Sequence, residues 1–160
     1  MQRLYAGLEF EQVVRQYADT VYAVCVMRLN NAADAEDCFQ DVFLKLYTDP
    51  PELRNTEHLK AWLIRVAINR CKNCIRDQRR LISLEAVPET PSVISDDDHD
   101  ISWALMKLEV KYRDVLYLHY VERYKVAEIG EILSMSESAV KNTLYRGRKK
   151  LKKIYGGDDE

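Results

Sequence analysis

Apolar residues in this chain recur at intervals of three and four almost from end to end, and no stretch alternates as a half-buried strand would. That spacing lines one face of an α-helix. Phe10, Val13, Val14, Tyr17, Val21, Val24 and Cys25 make a first stripe. Ala35, Cys38, Phe39, Val42, Phe43 and Leu46 make a second, beyond the cap-rich pair Asn30-Asn31. Asp49-Pro50-Pro51 stops that helix, because proline cannot continue it and disfavours helix in the residue before. A third stripe runs Leu59, Trp62, Leu63, Val66, Ala67, Cys71, Cys74 and Ile75, with Asn55 or Thr56 available as N-cap. Trp62 lies on this stripe and is read as core.

The periodicity fails once. Residues 83–100 carry Pro88, Pro91 and the run Asp96-Asp97-Asp98, with no apolar stripe, and read as a mobile acidic linker. Helical spacing resumes at Trp103 and Met106 and continues through Val115, Leu116, Leu118 and Tyr120. Val126, Ile129, Ile132 and Leu133 mark a short helix, and a last one runs from Glu137 to Tyr155. The expected fold is therefore all-α. Two small helical domains, 1–80 and 101–155, are joined by a flexible acidic linker, 81–100, and residues 156–160 form an acidic tail.

The chain has 160 residues with 47% apolar and 31% charged content, enough apolar material for packed cores. No apolar run approaches the roughly 20 residues of a membrane span, and the N-terminus lacks the charged-then-apolar pattern of a signal peptide. A soluble, cytoplasmic protein without membrane insertion is expected. The net charge of −2 argues against nucleic acid only if charge is evenly spread. It is not. Residues 61–80 carry six basic groups against Asp77, and residues 137–155 carry seven against Glu137. Residues 81–100 carry six acids and no base. Two basic blocks can bind a polyanion while the whole molecule stays acidic.

Residues 126–155 hold the most informative pattern: a short amphipathic helix, a tight turn with Ser136 as N-cap, and a longer basic helix. This is a helix-turn-helix. Ile129, Leu133, Val140 and Leu144 supply the crossing, and Gly130 lets the two helices approach. The second helix then presents Lys141, Asn142, Tyr145, Arg146 and Lys149, of which Lys, Asn and Arg suit base edges in a major groove. Ser136 and Ser138 near its N-terminus suit backbone phosphates.

Further motifs narrow the class. Asp34-Ala-Glu-Asp-Cys-Phe-Gln-Asp41, followed by Ala61-Trp-Leu-Ile-Arg-Val-Ala-Ile-Asn69, resembles the sigma factors of bacterial RNA polymerase, in their extracytoplasmic-function branch. Val126-Ala-Glu-Ile-Gly-Glu-Ile-Leu133 and Ser138 to Arg148 resemble the second DNA-binding domain of that family. The resemblance covers about residues 8–80 and 101–155.

It implies a transcription initiation factor. Asp34, Asp37, Gln40, Asp41, Phe43 and Leu44 would dock on the coiled coil of the beta-prime subunit of core RNA polymerase, and the C-terminal domain on the beta flap. The third helix and the loop before it would read and open the downstream promoter element through Asn55, Thr56, Arg65, Asn69, Arg70, Lys72, Asn73 and Arg76. Arg79 and Arg80 extend that helix's basic face. The basic groups would neutralise phosphates, and the asparagines would meet base edges. A base flipped from the stack costs a few kcal/mol, which a pocket in the loop would offset. Lys141, Asn142, Tyr145 and Arg146 would read the upstream element. The acidic linker would pass through the polymerase as a polyanion mimic, or serve as a soluble spacer. An anti-sigma factor is the expected further partner.

The sequence departs from the family pattern at three places. Ser134 replaces the usual turn glycine, Leu108-Glu109-Val110 replaces a Leu-Pro start, and Gly147 stands inside the recognition helix at a cost of roughly 1 kcal/mol. Cys71-x-x-Cys74 raises zinc or thiol chemistry. All four cysteines fall on apolar stripes with no histidine nearby, however, so buried reduced thiols are expected and no metal or cofactor. No paired nucleophile and base or phosphate loop points to an enzyme. The alternatives left are a helix-turn-helix operator-binding regulator that works without polymerase, and a sensor built on the cysteines.

Overall fold

A computed structural model of the chain describes residues 3–29, 31–82 and 104–156, with side chains of 78–82 excepted. The expected acidic linker, apart from the end of a helix at 81–82, and the acidic tail beyond Gly156 lie outside these residues, as does Trp103. The chain divides into two compact units, within residues 1–93 and 94–160. Both are built from helices, as the apolar spacing predicts, and no strand occurs among the described residues.

In the first unit α1 (Phe10–Leu29), α2 (Ala32–Thr48) and α3 (Thr56–Ile82) pack mutually as a three-helix bundle. Its centre is filled by Val13, Val21, Ala35, Val42, Leu46, Leu59, Leu63 and Ile64, each essentially without solvent exposure. The helix starts follow from local hydrogen bonding. Asn31 Oδ1 accepts from the Asp34 amide at 3.1 Å, and Asn55 Oδ1 accepts from the His58 amide at 2.8 Å. Each side chain thereby satisfies one of the amides that a first turn leaves unpaired. At α1 the reciprocal bond is used: the Glu9 amide donates to Gln12 Oε1 at 2.8 Å. α2 ends where the prolines require, with the Asp49 amide donating to the Lys45 carbonyl at 2.8 Å.

In the second unit α4 spans Val110–Leu116 and continues as a π-helical turn over Tyr117–Val121. Ala104 and Leu105 are helical, turns over 106–108 in which the Lys107 and Leu108 amides donate to the Ala104 and Leu105 carbonyls break the helix, and α4 starts afresh at Val110. Glu109 takes the N-cap position with extended backbone but makes no side-chain cap bond. α5 (Val126–Leu133) and α6 (Glu137–Gly156) form the helix-turn-helix. Ser136 Oγ accepts from the Ala139 amide at 3.1 Å, as its place in the sequence predicts.

Two residues let α5 and α6 meet. Ser134 adopts the left-handed conformation, φ 58° and ψ 49°, and its amide caps the Gly130 carbonyl. Ser134 thus occupies the left-handed region that glycine enters freely, at the steric cost a side chain meets there. At Gly130 the Met135 carbonyl oxygen passes so close that a Cβ would sit 2.6 Å from it. Gly147 also serves packing, since a Cβ there would lie 3.1 Å from Leu116 Cδ1.

Gly130→Ala should destabilise the protein by about 1–3 kcal/mol, because backbone must shift to admit the methyl. Ser134→Gly should stabilise it by about 0.5–1 kcal/mol through relief of the left-handed residue. Urea unfolding checks both; an indifferent Gly130→Ala would refute the close crossing. Asn55→Ala should cost about 1 kcal/mol and Thr56→Ala markedly less. The reverse order would move the α3 cap to Thr56.

Candidate nucleic-acid interface

The buried stripe of α3 determines what its other faces carry. With Leu59, Leu63, Ala67 and Cys71 turned into the bundle, the 100° step per residue turns Arg65, Asn69, Arg70, Lys72 and Arg76 outward. All five are exposed, and Asn73 is half-buried at the edge of the same surface. Trp62 is half-buried, so it borders this surface and is not enclosed in the core.

Arg70 makes an ion pair with Asp41 of α2, and this hydrogen bond is the main reason its guanidinium holds its proton more tightly than usual. Arg76 lies 3.9 Å from Asp77. Both pairs are solvent-exposed enough to contribute little stability, about 0.2–1 kcal/mol at most. They are easily exchanged for a phosphate partner. The side chains of Arg79 and Arg80 lie outside the described residues.

The loop before α3 is organised by its cap. Asn55 Oδ1 is occupied by the His58 amide, and His58 Nδ1 accepts in turn from the Arg54 amide at 3.2 Å. The Thr56 carbonyl accepts from the Tyr17 hydroxyl at 3.4 Å, which ties the loop to α1. Asn55 and Thr56 are themselves exposed.

On α2 the expected polymerase-facing residues separate. Asp37 and Gln40 are exposed, Asp34 and Asp41 half-buried. Leu44 is 59% exposed and Phe43 only 6%. The Phe43 ring packs edge-on against Phe39, 5.2 Å between centroids, and Phe39 packs similarly on Tyr22 of α1. Phe43 therefore belongs to the aromatic core and has no surface to offer a partner. Tyr47, one turn beyond Leu44, is 57% exposed and was not singled out by the apolar stripe. Its signal was its own spacing: it lies three residues after Leu44 and next to the core residue Leu46.

The second unit divides more sharply. Val140, Leu144 and Gly147 face inward, while Lys141, Asn142, Tyr145, Arg146 and Lys149 are all exposed. The Lys149 ammonium lies 4.9 Å from the Tyr145 ring centroid, a cation–π pair that holds both on the same face. Ser138 is exposed beside the helix N-terminus, whereas the Ser136 hydroxyl is already committed to the cap. Arg148, inside the basic helix but outside the expected reading set, stacks on Tyr120 with 5.7 Å to the ring centroid and donates to its hydroxyl. Thus α6 is pinned to the π turn. That turn is braced by the Tyr117 hydroxyl, which donates to Glu122 at 2.8 Å. Burial, aided by the Glu122 charge, pushes the Tyr117 phenol well above its usual range.

A three-helix unit with an exposed basic helix and a separate helix-turn-helix are the two parts that comparison with known proteins recovers. The family profile for Sigma-70 region 2 matches residues 13–81, and that for Sigma-70 region 4 matches residues 100–151. The chain is 29% identical over 163 residues to the ECF RNA polymerase sigma factor SigW of Bacillus subtilis, covering 90% of this chain and 87% of that protein. It is 27% identical over 166 residues to the RNA polymerase sigma factor CarQ of Myxococcus xanthus, covering 98% and 95%. Among solved structures, the sigma factor RpoE in complex with the anti-sigma factor NepR from Bartonella quintana has the same fold. Its TM-score is 0.75 at 23% identity over 94% of this chain and 98% of that one. CnrH in complex with the cytosolic domain of CnrY gives 0.64 at 21% identity, over 94% and 89%. The chain belongs to the sigma-70 family of RNA polymerase sigma factors, in its extracytoplasmic-function branch.

Proposed function

We propose that this sigma factor binds core RNA polymerase through its first unit and reads two promoter elements through two basic helices. The observation that carries the reading is the division of α6. Its inner face is closed by Val140, Leu144 and Gly147, so Lys141, Asn142, Tyr145 and Arg146 stand together on a free outer face. Groups that donate to guanine and pair with adenine edges are thereby presented on a helix narrow enough for the major groove. Lys149 and Ser138 flank them for phosphate contact.

In the first unit, α3 supplies Arg65, Arg70, Lys72 and Arg76 to phosphates of the downstream element, and Asn69 and Asn73 to its bases. The Asn55–Thr56 loop is the place for a flipped base. Asp34, Asp37, Gln40, Asp41 and Leu44, with Tyr47, form the polymerase-docking face on the beta-prime coiled coil. Phe43 supports that face from the core. The second unit also packs on the beta flap. Residues 1–80 and 101–155 act as the two functional domains, with 81–100 as their acidic linker. The factor works by binding and positioning, without a reaction of its own, in the cytoplasm where the polymerase is. No helix among the described residues is long and apolar enough to cross a membrane. The complexes of RpoE with NepR and CnrH with CnrY support an anti-sigma partner for this chain also. An operator-binding regulator would use the helix-turn-helix but leaves the region 2 match over residues 13–81 without a purpose.

Run-off transcription with purified core polymerase and promoter fragments tests the reading; it should be promoter-specific only when the chain is added. Arg146→Ala should weaken use of the upstream element roughly 5- to 150-fold and relax its sequence preference. Lys149→Ala should weaken binding uniformly and lower the salt dependence by about one phosphate contact. Both variants should bind core polymerase as the parent does. A loss of core binding on Arg146→Ala would contradict the assignment of this face to DNA.

A further inference from the structure

Lys111 of α4 and Lys150 of α6 stand over one aromatic ring, that of Tyr112. Their ammonium nitrogens lie 5.1 Å and 5.5 Å from its centroid. Tyr112 is buried, at 6% exposure, so its ring is a fixed platform, whereas both lysines are exposed. The close approach at Gly147 brings them together. A Cβ at Gly147 would lie 3.5 Å from Tyr112 Cβ. The Tyr112 side chain therefore starts against α6 at Gly147, and its ring reaches Lys150 three residues on.

Neither lysine makes an ion pair with an acid among the described residues, in contrast to Arg70 and Arg76. A ring face attracts an ammonium by its charge and leaves most of its N–H donors unused. Two like charges gathered on one ring also repel each other. An anion resting against both would relieve the repulsion and accept the free donors. The pair is thus an anion site, assembled from two helices around a buried ring.

Its place on α6 points to the anion. At 100° per residue, Lys150 lies about 40° round the helix from Arg146 and one turn beyond it, and about 60° from the buried edge at Gly147. It stands on the flank of α6, away from the centre of the outer face. A helix with its side chains is about 10–12 Å across, and the major groove is about 12 Å wide. When the centre of the outer face reaches base edges, the flank meets the groove wall, which is the phosphate backbone.

We propose that Lys111 and Lys150 form a two-lysine clamp, steadied by Tyr112, for one backbone phosphate at the edge of the upstream promoter element. The inference rests on the assignment of α6 to the major groove and adds to it a site shared with α4. Because Tyr112 is fixed in the packed unit, the clamp holds its charge at one place along the duplex. It sets the register of the recognition helix and carries no base preference of its own.

The test uses holoenzyme assembled from core polymerase and the full chain. It is titrated with promoter duplexes in which single phosphates along the upstream element are replaced by neutral methylphosphonates. With the parent chain, replacement at the clamped position should weaken binding about eightfold at 0.1 M salt, the effect of one phosphate contact by counterion release. The double variant Lys111→Gln, Lys150→Gln should bind the unmodified duplex weaker by about the same factor. Its salt slope should fall by about one, and it should be indifferent to methylphosphonate at that position. Lys150→Arg should behave as the parent. Far-UV circular dichroism checks that each variant is folded. Arg146→Ala should instead relax the base preference and keep the methylphosphonate effect; an unchanged preference there counts against base reading by α6 and not against the clamp. A double variant as sensitive to every methylphosphonate as the parent would overturn the proposal. So would a loss of core polymerase binding in place of DNA binding, which would assign the two lysines to an acidic protein surface.

Discussion

The rotational setting of α3 in its bundle governs most of what the first unit can do. Leu59, Leu63, Ile64 and Ala67 are sealed against α1 and α2, and burying side chains of this size contributes about 1.5–3 kcal/mol each for the larger ones. A turn of one residue about the helix axis would expose that stripe and bury Arg65 or Asn69. The apolar contacts therefore hold the basic surface in place without touching it. The Arg70–Asp41 pair joins the same two helices from outside. Being exposed, it trims the setting and does not create it.

The second unit depends instead on close backbone approach. Gly130 admits the Met135 carbonyl, Ser134 accepts the left-handed turn, and Gly147 admits Leu116. Glycine inside a helix costs propensity, yet at position 147 the missing Cβ is what brings α4 and α6 together. The loss in local propensity is thus offset by packing. Arg148 on Tyr120 then fixes the outer side of α6 to the π turn, so α6 is held on two faces.

Much of this was legible in the residue pattern. Helix existence, the stripes, the proline stop, the Ser136 cap and the outward face of α6 all follow from local spacing and capping chemistry. What was not legible depends on which neighbour a side chain finds across helices. Phe43 and Leu44 are adjacent, apolar and 100° apart, and the sequence does not say which turns inward. The rings of Phe39 and Tyr22 settle it. The π turn at Tyr117–Val121 reads as ordinary helix by periodicity, because a single extra residue in a turn hardly disturbs a short stripe. Three of the four cysteines are buried on the stripes that carry them, whereas the half-burial of Cys74 is a tertiary fact.

Charge placement connects the two units to one activity. Basic groups are concentrated on α3 and α6, and the remainder of the chain is acidic enough to bring the total to −2. Each helix alone offers few phosphate contacts, and the acidic blocks oppose approach to DNA at long range. On the proposed reading, tight promoter binding requires both helices to be engaged at once, with the gain in effective concentration that joint engagement brings. The most direct measurement is the affinity of the chain for one promoter duplex, at fixed salt, alone and in the presence of core polymerase. The account predicts weak and nearly sequence-independent binding alone, and tight, promoter-specific binding with core. Equally tight and specific binding without polymerase would contradict it.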